Sequence, residues 1–387
     1  MIKAWIDRNI KGDPVIWCVV IALSLMSVLV VYSATRSLAY KMMQGNTEYY
    51  LFKHGGLVIM SLAAMWGAHR VDYRLYAKLS RLALWISVPL LLLVYFFGRS
   101  INSASRQFLI PYIGSSFQPS DLAKLALITS IAAMLAKRQQ HIDDIKESLI
   151  PILIWSGAIC GLIALANFST AFLLFATCML LMFIGRVPVK YLFSLILIGF
   201  VLVTVGLYAG DRLETVVGRI TRFMDPTLIP FQVEQSYIAI ATGGPLGKGI
   251  GHNEQSNILP NAYNDFIYAI IVEEYGLLGG VAVIVLYLVF LYRGMLAVSR
   301  SDRAFGGLLS AGLSFSLVIQ AFTNMAVAVG LIPVTGQPLP LLSMGGTSLL
   351  FTGMSIGIIL SVSREREKAE PSLAKAKVKA GGDKKLS

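Results

Sequence analysis

Charge is what this sequence holds least of. Asp, Glu, Lys and Arg make up 14% of its 387 residues, against about 25% in a soluble domain, which argues against an ordinary water-covered globule. Cysteine is nearly absent: Cys18, Cys160 and Cys178 each lie within an apolar run, at no paired spacing. They offer no disulfide framework or metal set and read as small buried hydrophobes. The four histidines, His54, His69, His141 and His252, are scattered and form no ligand pair, so no histidine-based metal site is implied. The charge that is present is lopsided, with 33 basic residues against 21 acidic for a net +12. Those cations border apolar runs, a distribution that argues against nucleic acid as a partner.

Apolar residues fill the chain instead: 56% of it is hydrophobic and its mean hydropathy is +0.70. Runs close to the roughly 20 residues that carry a helix across a bilayer recur throughout. Ten are expected, at about 15–32, 55–68, 82–97, 122–135, 149–166, 170–184, 191–208, 266–291, 306–332 and 348–362. The expected fold class is all-α, a polytopic integral membrane protein with about ten transmembrane helices. The first run is longer than a signal-peptide core and no A-x-A site closes it, so it reads as an uncleaved anchor.

Lys and Arg orient the bundle. Of the 33, 23 fall in the set of connections that includes both chain ends, nine fall in the other set, and Lys124 lies inside a span. Both termini are therefore expected in the cytoplasm, with the chain embedded in the cytoplasmic (inner) membrane. Residues 1–363 form the membrane domain. Residues 364–387 form a basic tail, expected to be disordered and to lie against anionic lipid headgroups. One long connection, 210–265, falls on the extracytoplasmic side, and connections of that length are often functional. Val216, Val217, Ile220, Phe223, Met224 and Ile229 give it an amphipathic stretch suited to the outer leaflet. Arg212, Arg219 and Arg222 suit lipid phosphate, or else pair with Asp211, Glu214 and Asp225.

Asp265 stands where that connection meets the apolar run. A carboxylate at the rim of a membrane segment is costly unless it faces a partner, water or a substrate, so Asp265 leads the candidates for chemistry. The same side holds Asn102 and Arg106, then Gln118, Pro119, Ser120 and Asp121 opening the fourth span, with Lys124 one turn inside. Pro119 suits a first helical position, capped by Gln118 or Ser120. Asp121 and Lys124 share a helix face; they either neutralise each other near lipid or face a cavity. Gln235 and Ser236 begin a second polar cluster that leads into the glycine-rich 243–251. Lys248 there is followed by Gly249, and no strand precedes it, so this is not a nucleotide loop; its N–H groups can still cradle an anion.

A third cluster, 333–348, holds Ser343, Gly345 and Gly346 and no charge at all. It reads either as a re-entrant or broken-helix segment beside the site, because irregular backbone at membrane depth needs protein or a cavity to cover it, or as ordinary outer-loop turn chemistry. Glu273 and Glu274 follow Asp265 by eight and nine residues, about 12 Å deeper on a continuous helix. They read as interhelical hydrogen-bond or ion-pair residues, not as partners in its chemistry.

The stretches 102–106, 117–125 and 243–251, with Leu259, Pro260, Asn264, Asp265, Phe266, Glu273, Glu274 and Gly276, and then 330–346, resemble the SEDS (shape, elongation, division, sporulation) membrane proteins, the RodA/FtsW family. They cover most of the chain in the family's order. Three positions depart from its pattern: Asp121 replaces the usual Glu, Asn167 replaces the acid of Pro-Asp-Leu-Gly-Thr, and Gln107 stands where an aromatic residue is common. Length and general look lean toward the FtsW branch.

The resemblance implies a peptidoglycan glycosyltransferase that polymerises lipid II, on undecaprenyl pyrophosphate, at the outer face of the membrane. It implies a class B penicillin-binding protein as partner. The family's essential acid falls on Asp265, as general base toward the acceptor hydroxyl. Arg106, Lys124 or Lys248 would stabilise the pyrophosphate leaving group, as would a divalent cation (Mg or Mn) at Asp265. Gln118, Ser120, Asp121, Gln235, Ser236, Ser343, Gly345 and Gly346 complete the expected substrate site. A lipid II flippase and a non-catalytic division scaffold are the rival readings.

Overall fold

The computed structural model describes residues 11–36, 38, 47–101, 104–110, 115–139, 149–197, 199, 213–259, 263–299 and 304–364. Helix α1 (Pro14–Ala34) starts where the Asp13 carboxylate accepts from the Val15 N–H at 2.9 Å and Pro14 takes the first position, a matched N-cap and proline. Helix α2 (Thr47–Arg70) precedes α3 (Tyr73–Phe97), which Asp72 caps in the same way through the Arg74 N–H. Helix α4 is Pro119–Lys137, α5 is Ile150–Ala166 and α6 is Phe168–Ile184.

Among the described residues six helices are long and apolar enough to cross a membrane: α1, α2, α3, α4, α9 (Ile267–Ser299) and α10 (Ala304–Ala328). Helices α5, α6 and α11 (Ser348–Arg364) are shorter and apolar. The expected span at 191–208 is helical over 189–197 and then passes outside the described residues, so the count of ten closes only as far as these elements.

The all-α membrane class stands, with one small addition: Arg99–Ile101, Ala104–Ile110 and Ser115–Phe117 form β1, β2 and β3, an antiparallel sheet in that order between α3 and α4. Its strands are too short to stand out as a pattern among long apolar helices. One expectation needs correcting: 210–265 is not a plain loop. Helix α7 (Leu213–Met224), a 3₁₀ turn (Pro226–Leu228), α8 (Phe231–Gly243) and a second 3₁₀ turn (Gln255–Asn257) occupy much of it.

Of the six long helices α10 and α4 are the most enclosed, and α3 turns Trp85, Leu93, Phe96 and Phe97 outward. An apolar exterior of this kind is what a bilayer solvates. Small residues bring helices together: Gly353 and Gly357 of α11 lie against Ser61 and Met65 of α2, as membrane helix contacts favour. One end of the body is tied by Arg293 to Asp13 (2.6 Å) and by Arg364 to the Arg70 carbonyl (3.2 Å), with Gly12 lying against Leu360. Residues 12 and 364 thus share an end, and Asp265 stands at the far end of α9. The basic tail beyond 364, Asn102 and Arg212 lie outside the described residues.

A candidate active site at the head of a broken helix

Helix α9 is two helices in one. Gly276 has φ +71° and ψ −173°, which breaks the run after Tyr275 and leaves a first half of 267–275. Asp265 lies two residues before Ile267, at the N-terminal end of that half, where a helix favours negative charge. It is half-buried.

The uncharged segment 333–347 runs beside it as irregular backbone, with Gln337, Leu339, Leu341, Leu342 and Ser343 buried. Irregular backbone fits both readings of that cluster, and protein covers it as a segment at membrane depth would need. Side chains pin it on every side. Asn324 of α10 donates one amide hydrogen to the Asp265 carbonyl (2.8 Å) and the other to the Gln337 carbonyl (2.7 Å). The Ser343 hydroxyl accepts from the Leu339 N–H and donates to the Asn264 carbonyl. The Met344 N–H reaches the Tyr263 carbonyl at 3.0 Å. Gly336, at φ +64°, faces the carboxylate itself: a Cβ there would lie 3.8 Å from Asp265 Oδ2.

The remaining polar candidates converge on the same segment. Lys124 lies 2.7 Å from Asp121 and 3.4 Å from the Gln320 side-chain oxygen, and Gln320 donates to the Pro338 carbonyl at 2.8 Å. The i,i+3 pair is therefore real and tied to the site through α10. Gln118 occupies the N-cap position of α4 without a side-chain cap bond; its amide donates to Ser120 Oγ at 2.8 Å. The Thr347 hydroxyl donates to the Ser116 carbonyl and accepts from the Gln118 N–H, joining β3 and α4 to the segment. Gly346, at φ +57°, packs against Ser116, and Gly345 beside it is half-buried. Arg219 of α7 donates to the Val334 carbonyl at 3.3 Å. Asn167 caps α6 by accepting from the Thr170 N–H, and the Thr170 hydroxyl accepts from Gln337. Asn caps as well as Asp, so the departure at 167 keeps this link.

Three residues expected at the substrate are engaged within the fold. Ser236 is fully buried and donates to the Ala328 carbonyl. Ser343 is taken up by Leu339 and Asn264, as above. Lys248 lies 3.0 Å from Glu273 and 3.5 Å from Glu254. Its ammonium is held above the ordinary lysine range: burial alone would lower it, and the hydrogen bonds and charges of Glu273 and Glu254 outweigh that. Gln235 is half-buried on α8. Arg106 lies in β2; its side chain is outside the described residues.

Sequence reasoning missed Asn324 and Gln320, although two amides four apart on an apolar helix share a face and are a visible signal. It also missed Tyr263 as a neighbour. Burial raises that phenol's pKa, followed by Tyr50 and the Asp265 charge, so it stays a proton donor across neutral pH.

Around Asp265, Asn264 Oδ1, Asn324 Oδ1, Thr335 Oγ1 and, farther along, Asp121 Oδ2 are buried with no hydrogen-bond partner among the described residues. Most buried polar atoms in folded proteins have one. Such a set of acceptors beside a carboxylate suits a ligand rich in hydroxyls.

Comparison with known proteins places this geometry. A family model described as "Cell cycle protein", covering FtsW, RodA and SpoVE, matches residues 13–368. A protein of Geobacter sp. (strain M18) named "Probable peptidoglycan glycosyltransferase FtsW" is 31% identical over 363 residues, covering 92% of this chain and 98% of its own. "Stage V sporulation protein E" of Bacillus subtilis (strain 168) is 32% identical, with the same coverage. Among solved structures, a chain of a peptidoglycan synthase complex that coordinates polymerization and crosslinking superposes with a TM-score of 0.73 at 24% identity, covering 92% of this chain and 98% of that one. The rod shape determining protein RodA of Thermus thermophilus gives 0.67 at 24% identity, covering 92% and 97%. At that identity the two structures speak for the fold.

Proposed function

Because this chain belongs to the FtsW, RodA and SpoVE family of cell cycle proteins, we propose that it is a multi-pass membrane peptidoglycan glycosyltransferase that polymerises lipid II. The observation that carries this reading is the placement of Asp265. A carboxylate at a helix N-terminus stands against an uncharged segment, and its neighbours Asn264 and Asn324, with Thr335 beside Gly336, keep buried oxygens that lack donors among the described residues. The relatives named FtsW favour a role in division over elongation.

Asp265 acts as the general base. It accepts the proton of the acceptor sugar's 4-hydroxyl as that oxygen bonds to the donor's anomeric carbon. The bond from that carbon to the pyrophosphate oxygen breaks, and undecaprenyl pyrophosphate leaves with the electron pair. One displacement inverts the anomeric centre and needs no covalent enzyme intermediate. Lys124 and Arg106 are the cations assigned to the departing phosphates, where developing charge is best met by fixed donors. Gln118, Ser120, Asp121, Gln235, Gly345 and Gly346 are assigned to substrate contacts around them. Asn264, Asn324 and Thr335 are added as acceptors for sugar hydroxyls and amides.

A divalent cation, Mg or Mn, fits this donor set in one way. Among the described residues no three His, Cys, Asp or Glu side chains converge, so Asp265 would be its carboxylate ligand and substrate phosphates would complete the shell, as Mg is often held. Such a cation would neutralise charge on the phosphates.

The site is assigned to the extracytoplasmic side, with residues 12 and 364 at the cytoplasmic end, a reading that the distribution of basic residues supports. A class B penicillin-binding protein is assigned as the transpeptidase partner. The solved synthase complex, in which a similar fold belongs to an assembly for polymerization and crosslinking, supports that.

The test is polymerisation of purified lipid II by wild type and Asp265→Asn, with and without that partner. Glycan from the wild type and none from a folded Asp265→Asn variant is the expected result. Equal product from both would overturn the assignment of Asp265, and lipid II flipping in liposomes without any polymerisation would replace the enzyme with a transporter.

A further inference from the structure

Lys248, expected at the substrate's phosphates, is paired with two carboxylates from outside its own glycine-rich stretch, Glu273 and Glu254. Glu273 is fully buried, and its Oε1 accepts from Lys248 Nζ at 3.0 Å and from the Glu254 N–H at 3.1 Å. A carboxylate in that position is stable only when paired, and Lys248 is the cation that pairs it. The backbone around Lys248 closes the break in α9. At the end of the first half, the N–H groups of Lys248 and Gly249 reach the carbonyls of Glu273 and Glu274 at 2.9 and 3.0 Å. At the start of the second half, the N–H groups of Leu277 and Leu278 reach the carbonyls of Gly244 and Pro245 at 2.9 and 3.3 Å. These are the groups that a helix end leaves unpaired.

The neighbouring Glu274 is fixed independently. Its Oε1 accepts from Ser33 of α1 and from Asn253. The half-helix 267–275 is thus a rod about 13 Å long. The 243–254 segment clasps one end, and Asp265 stands just beyond the other.

We propose that Lys248 is a positioning residue: by neutralising the buried Glu273 carboxylate it locks the broken end of the half-helix that presents Asp265, and it does not hold the substrate's phosphates. The activity side of this proposal rests on the glycosyltransferase reading; the structural side does not.

The test uses the full chain in lipid nanodiscs, with Lys248→Met, Glu273→Gln and the double variant. Lys248→Met strands the Glu273 charge and loosens the rod; kcat for lipid II polymerisation falls about 10- to 100-fold, the range a small misplacement of a catalytic group produces, with KM nearly unchanged. The double variant removes both charges and keeps an acceptor for the Glu254 N–H, so kcat returns to within about 3-fold of wild type. A lysine that binds phosphate behaves otherwise: KM rises, and the double variant stays as impaired as Lys248→Met. That result overturns the proposal.

Hydrogen exchange on the same samples reads the clasp without catalysis. Amides of 248–249 and 267–275 lose protection in Lys248→Met and regain it in the double variant; unchanged protection in Lys248→Met also overturns the proposal. Should Lys248→Met fail to fold, the double variant decides alone, because native protection there with activity lost refutes positioning. If the wild type makes no glycan, the glycosyltransferase reading fails while the exchange data still judge the clasp.

Discussion

Residues 243–251 and 333–347 are both glycine-bearing, irregular stretches, and each lies against one end of the half-helix 267–275. The first meets its partner backbone to backbone. Gly247 and Gly276 lie against each other's chains at φ +81° and +71°, with Pro245 and Glu274 so close that a Cβ on either would collide with main-chain atoms. The second meets its partners through side chains. Asn324, Gln320, Ser343 and Thr347 support it, and its glycine nearest the carboxylate, Gly336, has room around it. One region uses glycine to let two chains touch, and the other uses it to leave space next to a reactive group. Glycine content alone does not distinguish the two.

Substitutions sharpen this contrast. The largest effect belongs to Asp265→Asn, which removes the base; polymerisation falls by about 10²- to 10⁴-fold or more, with the thermal unfolding temperature close to wild type. The two glycines should then separate stability from activity. Gly276→Ala forces a side chain into main-chain atoms at a left-handed φ, at a cost of roughly 2–4 kcal/mol, read as a lower unfolding temperature in detergent. Gly336→Ala costs about 1 kcal/mol for its φ, yet its methyl group stands at contact distance from Asp265, so activity falls further than stability. If Gly336→Ala unfolds as early as Gly276→Ala, the two regions are not different in kind.

Asn324→Ala leaves the carbonyls of Asp265 and Gln337 without their donor, a loss of about 1–3 kcal/mol, and lipid II polymerisation should drop about 10-fold as the segment loosens. Wild-type kinetics in that variant would show that the bridge is dispensable. The smallest effect concerns the cap of α6. Asn167→Ala should cost about 1 kcal/mol and Asn167→Asp almost nothing. A large gain in activity for Asn167→Asp would mean that the position calls for a charge as well as a cap.

Much of this was legible in the residues. The apolar runs foretold the helices, because burying backbone in hydrocarbon leaves few alternatives to a helix. Asp265 stood out as a carboxylate at the edge of an apolar run, and Asp121 with Lys124 as an i,i+3 pair. The uncharged Pro, Gly and Ser cluster at 333–348 read correctly as irregular backbone, since nothing in it could sustain a helix. Helix α7 was legible in part, as the amphipathic stretch of Val216, Val217, Ile220, Phe223 and Met224; the short strands of the β-sheet and helix α8 carried no dominant period. The pairing of Lys248 was not legible for a different reason. Its partner Glu273 is 25 residues away, and a lysine among glycines carries the same local signal whether its counter-ion is a phosphate or a carboxylate.

The sequence by itself determined the solvent, the helical character and the residue types available for chemistry, because hydropathy and helix spacing are local properties. Only the tertiary structure decided that Lys248 meets Glu273, 25 residues away. It also decided that α9 breaks at Gly276 and that Asn324 reaches the Asp265 backbone. Those outcomes depend on pairings between segments far apart in the chain, where a shift of a few ångströms separates a structural ion pair from a binding site.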